Sequence, residues 1–216
     1  GDSGMAAVTA CCEGVAAKLS CAAGDVLMAS TGVIGEPLDS AVLAARFDDL
    51  ASGSADWQAA AQAILTTDTF TKAASATAAI AGTKVQIAGI AKGSGMIAPD
   101  MATMLGFIAT DAVLPQPVLA ALLADATDRS FNAITVDSDT STNDSVYLMA
   151  SGAAANAEVT AADDPALDIF RDALDRVMQD LARQIVRDGE GATRFITLAV
   201  SGARDADEAR AVAFTV

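Results

Sequence analysis

The stretch Lys92-Gly-Ser-Gly-Met-Ile-Ala-Pro-Asp-Met-Ala-Thr103-Met-Leu105 sets a threonine behind a small residue, inside an apolar segment punctuated by glycine and proline. Its hydroxyl is a candidate nucleophile, and composition limits what could activate it. The sequence has no histidine, which removes Ser-His-Asp and Cys-His arrangements and the usual imidazole ligands of zinc. A threonine at an N-terminus carries its own base. Its α-amino group has a pKa of about 8, so a useful fraction is neutral at physiological pH and can help deprotonate the adjacent hydroxyl. Chemistry at Thr103 therefore requires a cut before it. The small side chain of Ala102 leaves the preceding carbonyl open to attack. On local sequence alone, a structural threonine in a strand is the more ordinary reading.

Other residues offer matching chemistry. Thr31-Gly32 lies in Ser30-Thr-Gly-Val-Ile-Gly35, where a backbone N–H and a hydroxyl can point at one oxygen; read alone, it is a simple turn. Lys92 can pair with a carboxylate, Glu190 can accept from an ammonium group, and Thr67 can supply a hydroxyl, a sensible set for an amino-acid ligand. Taken singly, each is an ordinary solvated charge or turn hydroxyl. Gly93 and Gly95 allow close backbone approach, but the Gly-Lys-Ser/Thr order of a phosphate loop is absent. Asp137-Ser-Asp139-Thr-Ser141 imitates the first half of a calcium loop. Positions six and twelve hold Thr142 and Leu148 instead of glycine and glutamate, so a tight hydrogen-bonded turn is expected and no metal is assigned.

Five motifs, taken together and in order, resemble the ornithine acetyltransferase (glutamate N-acetyltransferase) family of arginine biosynthesis: Ser30 to Gly35, Thr66-Thr-Asp-Thr69, Lys92 to Leu105, Thr135-Val-Asp-Ser-Asp-Thr-Ser-Thr-Asn-Asp144, and Arg187-Asp-Gly-Glu-Gly-Ala-Thr193. The resemblance implies an N-terminal-nucleophile-like fold and a precursor that cuts itself between Ala102 and Thr103. Residues 1–102 would be the C-terminal part of an α chain and 103–216 the N-terminal part of a β chain, within one partial catalytic domain. It further implies Thr103 as nucleophile, Thr31 and Gly32 as oxyanion hole, and Thr67, Lys92, Thr103 and Glu190 as substrate-binding residues. N2-acetylornithine is then the acetyl donor and glutamate the acceptor, with no cofactor, in an α2β2 heterotetramer. Family members carry a further segment before the position of Gly1 and a longer one after Val216, so the match is to part of a chain. This sequence departs from the commonest family wording at Asp100, where asparagine is usual, and at Ser138, where glycine is usual. Two other readings stay open: a related N-terminal-nucleophile amidohydrolase or aminopeptidase, in which water is the acceptor, and an inactive truncated fragment serving as an assembly or binding subunit.

Composition agrees with this background. With 216 residues and 52% hydrophobic content, the chain can bury one sizeable core or two small ones. A net charge of −15 disfavours nucleic acid and anionic membrane surfaces as partners. The longest uncharged runs, Ala112 to Ala124 and Ser145 to Ala157, fall short of the roughly 18 residues of a spanning helix. The start, Gly1-Asp-Ser-Gly-Met, lacks an initiator methionine and a basic-then-apolar leader, and reads as cut into. Cys11, Cys12 and Cys21 lack disulfide or metal spacing and are expected reduced. The expected compartment is the cytoplasm, or the mitochondrial matrix in a eukaryote.

The elements that must position these residues follow from periodicity. Helices are expected from Ser3 to Ser20, from Glu36 to about Leu50, and from Ala55 to Leu65. Strands are expected at Asp25 to Ala29, Thr83 to Ala91, Met101 to Thr110 with Thr103 at its beginning, Phe131 to Asp137, and Thr193 to Val200. Pro115 to Arg129 reads as a helix, Ser141 to Ser151 as helical after a polar cap, and Asp205 to Phe214 as the start of another. Asp164-Pro165 opens the clearest helix, with Leu167, Phe170, Leu174, Val177, Leu181 and Ile185 on one face. The alternation argues an α/β (α+β) fold, with sheet layers packed against helices.

Overall fold

The computed structural model describes residues 1–33, 35–53, 56–98 and 103–216, which fall into two compact units, 1–60 and 61–216. In the first unit, α1 (Asp2–Leu19) buries Ala7, Cys11 and Ala16 and stops where Ser20 takes a left-handed conformation, φ 56°. The expected helix from Glu36 is two short ones, α2 (Ser40–Ala44) and α3 (Phe47–Ser52). The Asp39 carboxylate caps α2 by accepting from the Ala41 N–H at 3.0 Å, which moves the start past Pro37 and Leu38. The ring of Phe47 lies against Gly14, where any Cβ would collide with it, so the two helices pack through a glycine notch. The expected strand Asp25–Ala29 is not formed. Ala23–Asp25 is a single 3-10 turn, and the backbone beyond it is irregular, with no ladder to a neighbour among the described residues.

The helix α4 (Trp57–Ala63), shorter than expected, leads the chain into the second unit. There a four-stranded sheet is ordered β1-β2-β3-β4: β1 (Lys72–Ile80), β2 (Thr83–Lys92), β3 (Leu105–Thr110) and β4 (Ser145–Ala150). Ala81 and Gly82, at φ 48° and 85°, form the two-residue turn between β1 and β2, whose handedness suits a twisted hairpin. β2 pairs antiparallel with β3, and β3 pairs parallel with β4. The parallel pairing needs a crossover, which α5 (Gln116–Asp128) supplies with Pro117 in its first turn.

The second unit departs from the sequence reading in several places. β1 was not anticipated, because Lys72-Ala-Ala-Ser-Ala-Thr-Ala-Ala-Ile80 lacks the bulky alternation that marks a strand. Ser141 to Ser151 is not helical: β4 occupies Ser145–Ala150, with Tyr147 opposite Phe107 and their rings 5.9 Å apart. Phe131 to Asp137 is a 3-10 turn at Phe131–Ala133 followed by irregular chain, not a strand.

α6 (Asp168–Arg187) lays its apolar stripe on β1 and β2. Phe170, Leu174, Val177, Leu181 and Ile185 are all buried and join Ile80, Val85, Ile87 and Ile108 in one core. Gly89 lets this helix approach: a Cβ there would sit 3.0 Å from the Leu181 side chain. Asp164 caps the entry turn by accepting from the Ala166 N–H at 2.8 Å. Thr193 to Val200 is not a strand either. It is irregular and largely exposed, and no described strand pairs with it. α7 (Ala206–Ala213) follows, capped by Asp205, which accepts from the Glu208 N–H at 2.9 Å. No described helix is long and apolar enough to cross a membrane.

Candidate functional site

Thr67, Lys92, Thr103 and Glu190 gather in the second unit, where β1 begins and β2 ends. Antiparallel pairing sets Lys72 of β1 beside Ala91, so the residues leading into β1 and those leaving β2 share one end of the sheet. Lys92, the last residue of β2, is 2% exposed and pairs in register with Leu105 of β3. Its Nζ lies 3.4 Å from the carbonyl oxygen of Thr103. Burial lowers the Lys92 pKa and the nearby Lys72 ammonium adds to this, while Asp68, Asp144 and Glu190 push the other way. The result is an ammonium held at a low-dielectric strand end beside Thr103.

Thr103 sits two residues before β3, in a bend, rather than inside a strand that begins at Met101. Its backbone N–H donates to the Met96 carbonyl at 2.8 Å. Met96 is itself left-handed, φ 55°, a conformation costly for a side chain of its size. The Asp137 carboxylate holds it there, accepting from the Met96 N–H at 2.6 Å and the Ile97 N–H at 2.9 Å. Asp144 grips the other flank of Thr103, accepting from the Met104 N–H at 2.7 Å. Burial pushes the Asp144 carboxyl up to about 6, against the pull of the Met104 N–H, Lys92 and Ser141. Ala102 and Asp100, on which the cleavage expectation and one departure from family wording fall, lie outside the described residues.

The remaining two candidates meet on Ser94. Thr67 Oγ1 is 2.7 Å from Ser94 Oγ, and the Glu190 N–H donates to the Ser94 carbonyl at 2.7 Å. The Glu190 carboxyl lies against Gly95, where a Cβ would sit 3.0 Å from its carbon, so a larger residue at 95 would displace that side chain. Thr67 and Glu190 are exposed while Lys92 and Ser94 are buried, an arrangement that offers a hydroxyl and a carboxylate at the rim with an ammonium beneath. Thr31 and Gly32 belong to the first unit and lie in irregular chain, with Gly32 exposed.

The Asp137 segment is a tight turn, as the sequence suggests. The Asp139 N–H donates to Asp137 Oδ1 at 3.2 Å, and the Thr135 hydroxyl donates to the Ile97 carbonyl at 2.9 Å. Ser138 stands at φ 66°, in the left-handed region that glycine enters at least cost.

Sequence reasoning missed Asp68, Lys72, Asp137, Asp144 and Asp188 as working parts of this cluster. Four of them were inside the quoted motifs, and their task is to hold backbone N–H groups. Lys72 was outside; its signal was the four-residue spacing from Asp68 in front of a run of alanines.

Comparison with known proteins assigns the chain to a family. The sequence model of the ArgJ family matches residues 1–216. The arginine biosynthesis bifunctional protein ArgJ of Rhizobium meliloti is 49% identical over 221 residues, covering 100% of this chain and 54% of that protein. The protein of the same name from Gluconobacter oxydans is 52% identical over 205 residues, covering 94% and 48% respectively. This chain therefore spans about half the length of the curated relatives it matches. Among solved structures, the ArgJ crystal structure from Bacillus halodurans is 49% identical over 39% of each chain, with a TM-score of 0.37. On the match that runs across all 216 residues, the chain belongs to the ArgJ family.

Proposed function

We propose that this chain is the central part of an acetyltransferase that moves the acetyl group of N2-acetylornithine to glutamate through an ester on Thr103, without a cofactor, in the cytoplasm and as an α2β2 heterotetramer. The carrying observation is the convergence of Lys92, Thr103, Thr67 and Glu190 at one end of the sheet, tied together through Ser94 and the Thr103 carbonyl. That set has the handles an α-amino acid needs: an ammonium for its carboxylate, and a carboxylate for its ammonium.

Self-cleavage comes first. The Thr103 hydroxyl attacks the Ala102 carbonyl carbon, the peptide C–N bond breaks, and the freed nitrogen takes up the hydroxyl proton. Water then hydrolyses the ester, leaving an Ala102 carboxylate and a free Thr103 amine. In turnover that amine accepts the hydroxyl proton while Oγ1 attacks the acetyl carbonyl of the donor. The C–N bond of the donor breaks and ornithine leaves with the proton. The glutamate amine attacks the acetyl ester in turn, and Thr103 recovers its hydroxyl. Thr31 and Gly32 are the proposed donors to the oxyanion of each tetrahedral intermediate. Met96 supports the role of the new amine, because its carbonyl already accepts from the Thr103 nitrogen and would hold the free amine in place.

The test is the intact mass of the denatured protein beside a Thr103→Ala variant, followed by an acetylornithine-to-glutamate assay. Two fragments divided between Ala102 and Thr103, absent from the variant, together with ornithine release that needs glutamate, support the reading. An uncut wild type overturns it. Ornithine release independent of glutamate points instead to a hydrolase.

A further inference from the structure

We infer that Lys72, which has no exposed side-chain surface, is a positioning residue for the substrate pocket: one ammonium locks together the three backbone segments that carry Thr67, Lys92 to Ser94, and Glu190. This rests on the reading of that cluster as the substrate site.

Lys72 opens β1, and its Nζ lies 2.6 Å from Asp68 Oδ1 and 2.6 Å from Asp188 Oδ2, with both carboxylates as buried as itself. Each carboxylate has a second grip on a backbone N–H, and Asp188 adds a hydroxyl. Asp68 accepts from the Gly93 N–H at 2.6 Å and from the Thr66 N–H at 3.2 Å, and so joins the segment of Thr67 to the residue between Lys92 and Ser94. Asp188 accepts from the Thr69 N–H at 2.9 Å and from the Thr69 hydroxyl, tying the same segment to the loop that presents Glu190 two residues later. The ring closes on the pocket side through the Thr67 and Ser94 hydroxyls and the bond from Glu190 to Ser94. Lys72 thus stands behind the pocket, and the groups that would meet substrate stand in front.

A buried trio of this kind is a poor device for stability alone, because removing three charges from water offsets most of their mutual attraction, and apolar residues of equal volume commonly do as well. Its distinctive product is geometry. A planar carboxylate with one oxygen on an ammonium and both on fixed N–H groups has little freedom, and it transmits that constraint beyond the ends of the β1–β2 ladder, to the chain leading into β1, the chain leaving β2 and the loop after α6. Lys92 is the charge beside the trio, interacting with both Asp68 and Lys72, and it in turn feels Asp144 and Glu190. One lysine therefore fixes the spacing between the sites proposed for the carboxylate and the amine of an amino acid.

The experiment compares steady-state kinetics of wild type, Lys72→Met, Asp188→Asn and Asp188→Glu in the intact protein, with Leu122→Ala in α5 as a control that lowers the melting temperature away from these segments. Misplaced binding groups raise KM more than they lower kcat, so Asp188→Asn should raise KM for both N2-acetylornithine and glutamate about tenfold, and Lys72→Met further. Asp188→Glu should recover part of that loss, and Leu122→Ala should leave both KM values unchanged. If Asp188→Asn does not fold, Thr69→Val removes one hydroxyl grip at an exposed position and should raise KM by roughly twofold to fivefold. Wild-type transfer combined with unaltered KM in the folded variants, or KM effects matched by Leu122→Ala, overturns this inference and leaves the acetyltransferase reading standing. Absence of transfer in wild type overturns both.

Discussion

The hairpin of β1 and β2 is held in two different ways at its two ends. At the turn, Ile80 and Val85 are fully buried, and the core they enter is completed by Leu174, Leu181 and other side chains of α6. At the open end the first residue of β1 and the last of β2 are lysines, also fully or nearly buried; their ammonium groups meet aspartates and backbone carbonyls, and the aspartates accept in turn from backbone N–H groups. Apolar packing is non-directional and accepts many shapes of similar volume. Carboxylates on N–H groups accept few. The same two strands thus pass from a region where volume matters to one where angle and charge matter, and the candidate site lies in the second.

The sharpest break of that contrast is on the apolar side. Phe170→Ala, at a residue with no exposure, should cost about 3–5 kcal/mol in urea unfolding, with no new dependence on pH. On the polar side, Asp137→Ala leaves the Met96 and Ile97 N–H groups without their acceptor. It should cost about 1–3 kcal/mol and, unlike Phe170→Ala, slow the appearance of the two fragments at temperatures well below melting. Fragment formation as fast as in wild type would count against a role for Met96 in orienting Thr103.

Acid should separate the two ends further, and the signs can be assigned group by group. The Asp68 and Asp188 carboxyls lie below their ordinary value of 3.8 because Lys72 and backbone N–H groups favour the charged form over the opposing effect of burial. Their contribution is fully present above that value and is lost as pH falls through the depressed values. Asp144 behaves oppositely. Pushed up to about 6, it binds a proton in the folded state between about 4 and 6, so its contribution is favourable at low pH and declines as pH rises through 6. Asp144→Asn should therefore gain melting temperature relative to wild type as pH goes from 4 to 7, and a flat difference would show that burial does not govern this carboxyl. The smallest effect is expected at Ser138→Gly, where relief of a left-handed φ of 66° should stabilise by at most about 1 kcal/mol, read as a small rise in melting temperature.

What the sequence made legible follows the same division. α6 was readable because its burial is periodic, with Phe170, Leu174, Val177, Leu181 and Ile185 returning every three or four residues. β4 was misread as helix because Val146-Tyr-Leu-Met is a short apolar run without period, and its partner β3 is separated from it by the whole of α5. The segments Asp25 to Ala29 and Thr193 to Val200 have strand composition, yet no described strand offers them a ladder, and composition cannot supply one. In the cluster, Thr67, Lys92, Thr103 and Glu190 were named by motif. The aspartates that hold their backbones carry the same letter whether they face water or an amide, and the burial of Lys72 depends on two partners that sit 4 and 116 residues away.

The pairing of β2 with β3 has a consequence for any break between them. Six residue pairs, from Ile87 with Thr110 to Lys92 with Leu105, zip the strands that flank the Ala102–Thr103 bond. Scission there would sever the covalent chain and leave the sheet whole, so the pieces would travel as one particle through native chromatography. Unfolding would then be a dissociation. Its midpoint would rise with protein concentration, and refolding would change from a first-order rearrangement into a second-order encounter between two polypeptides.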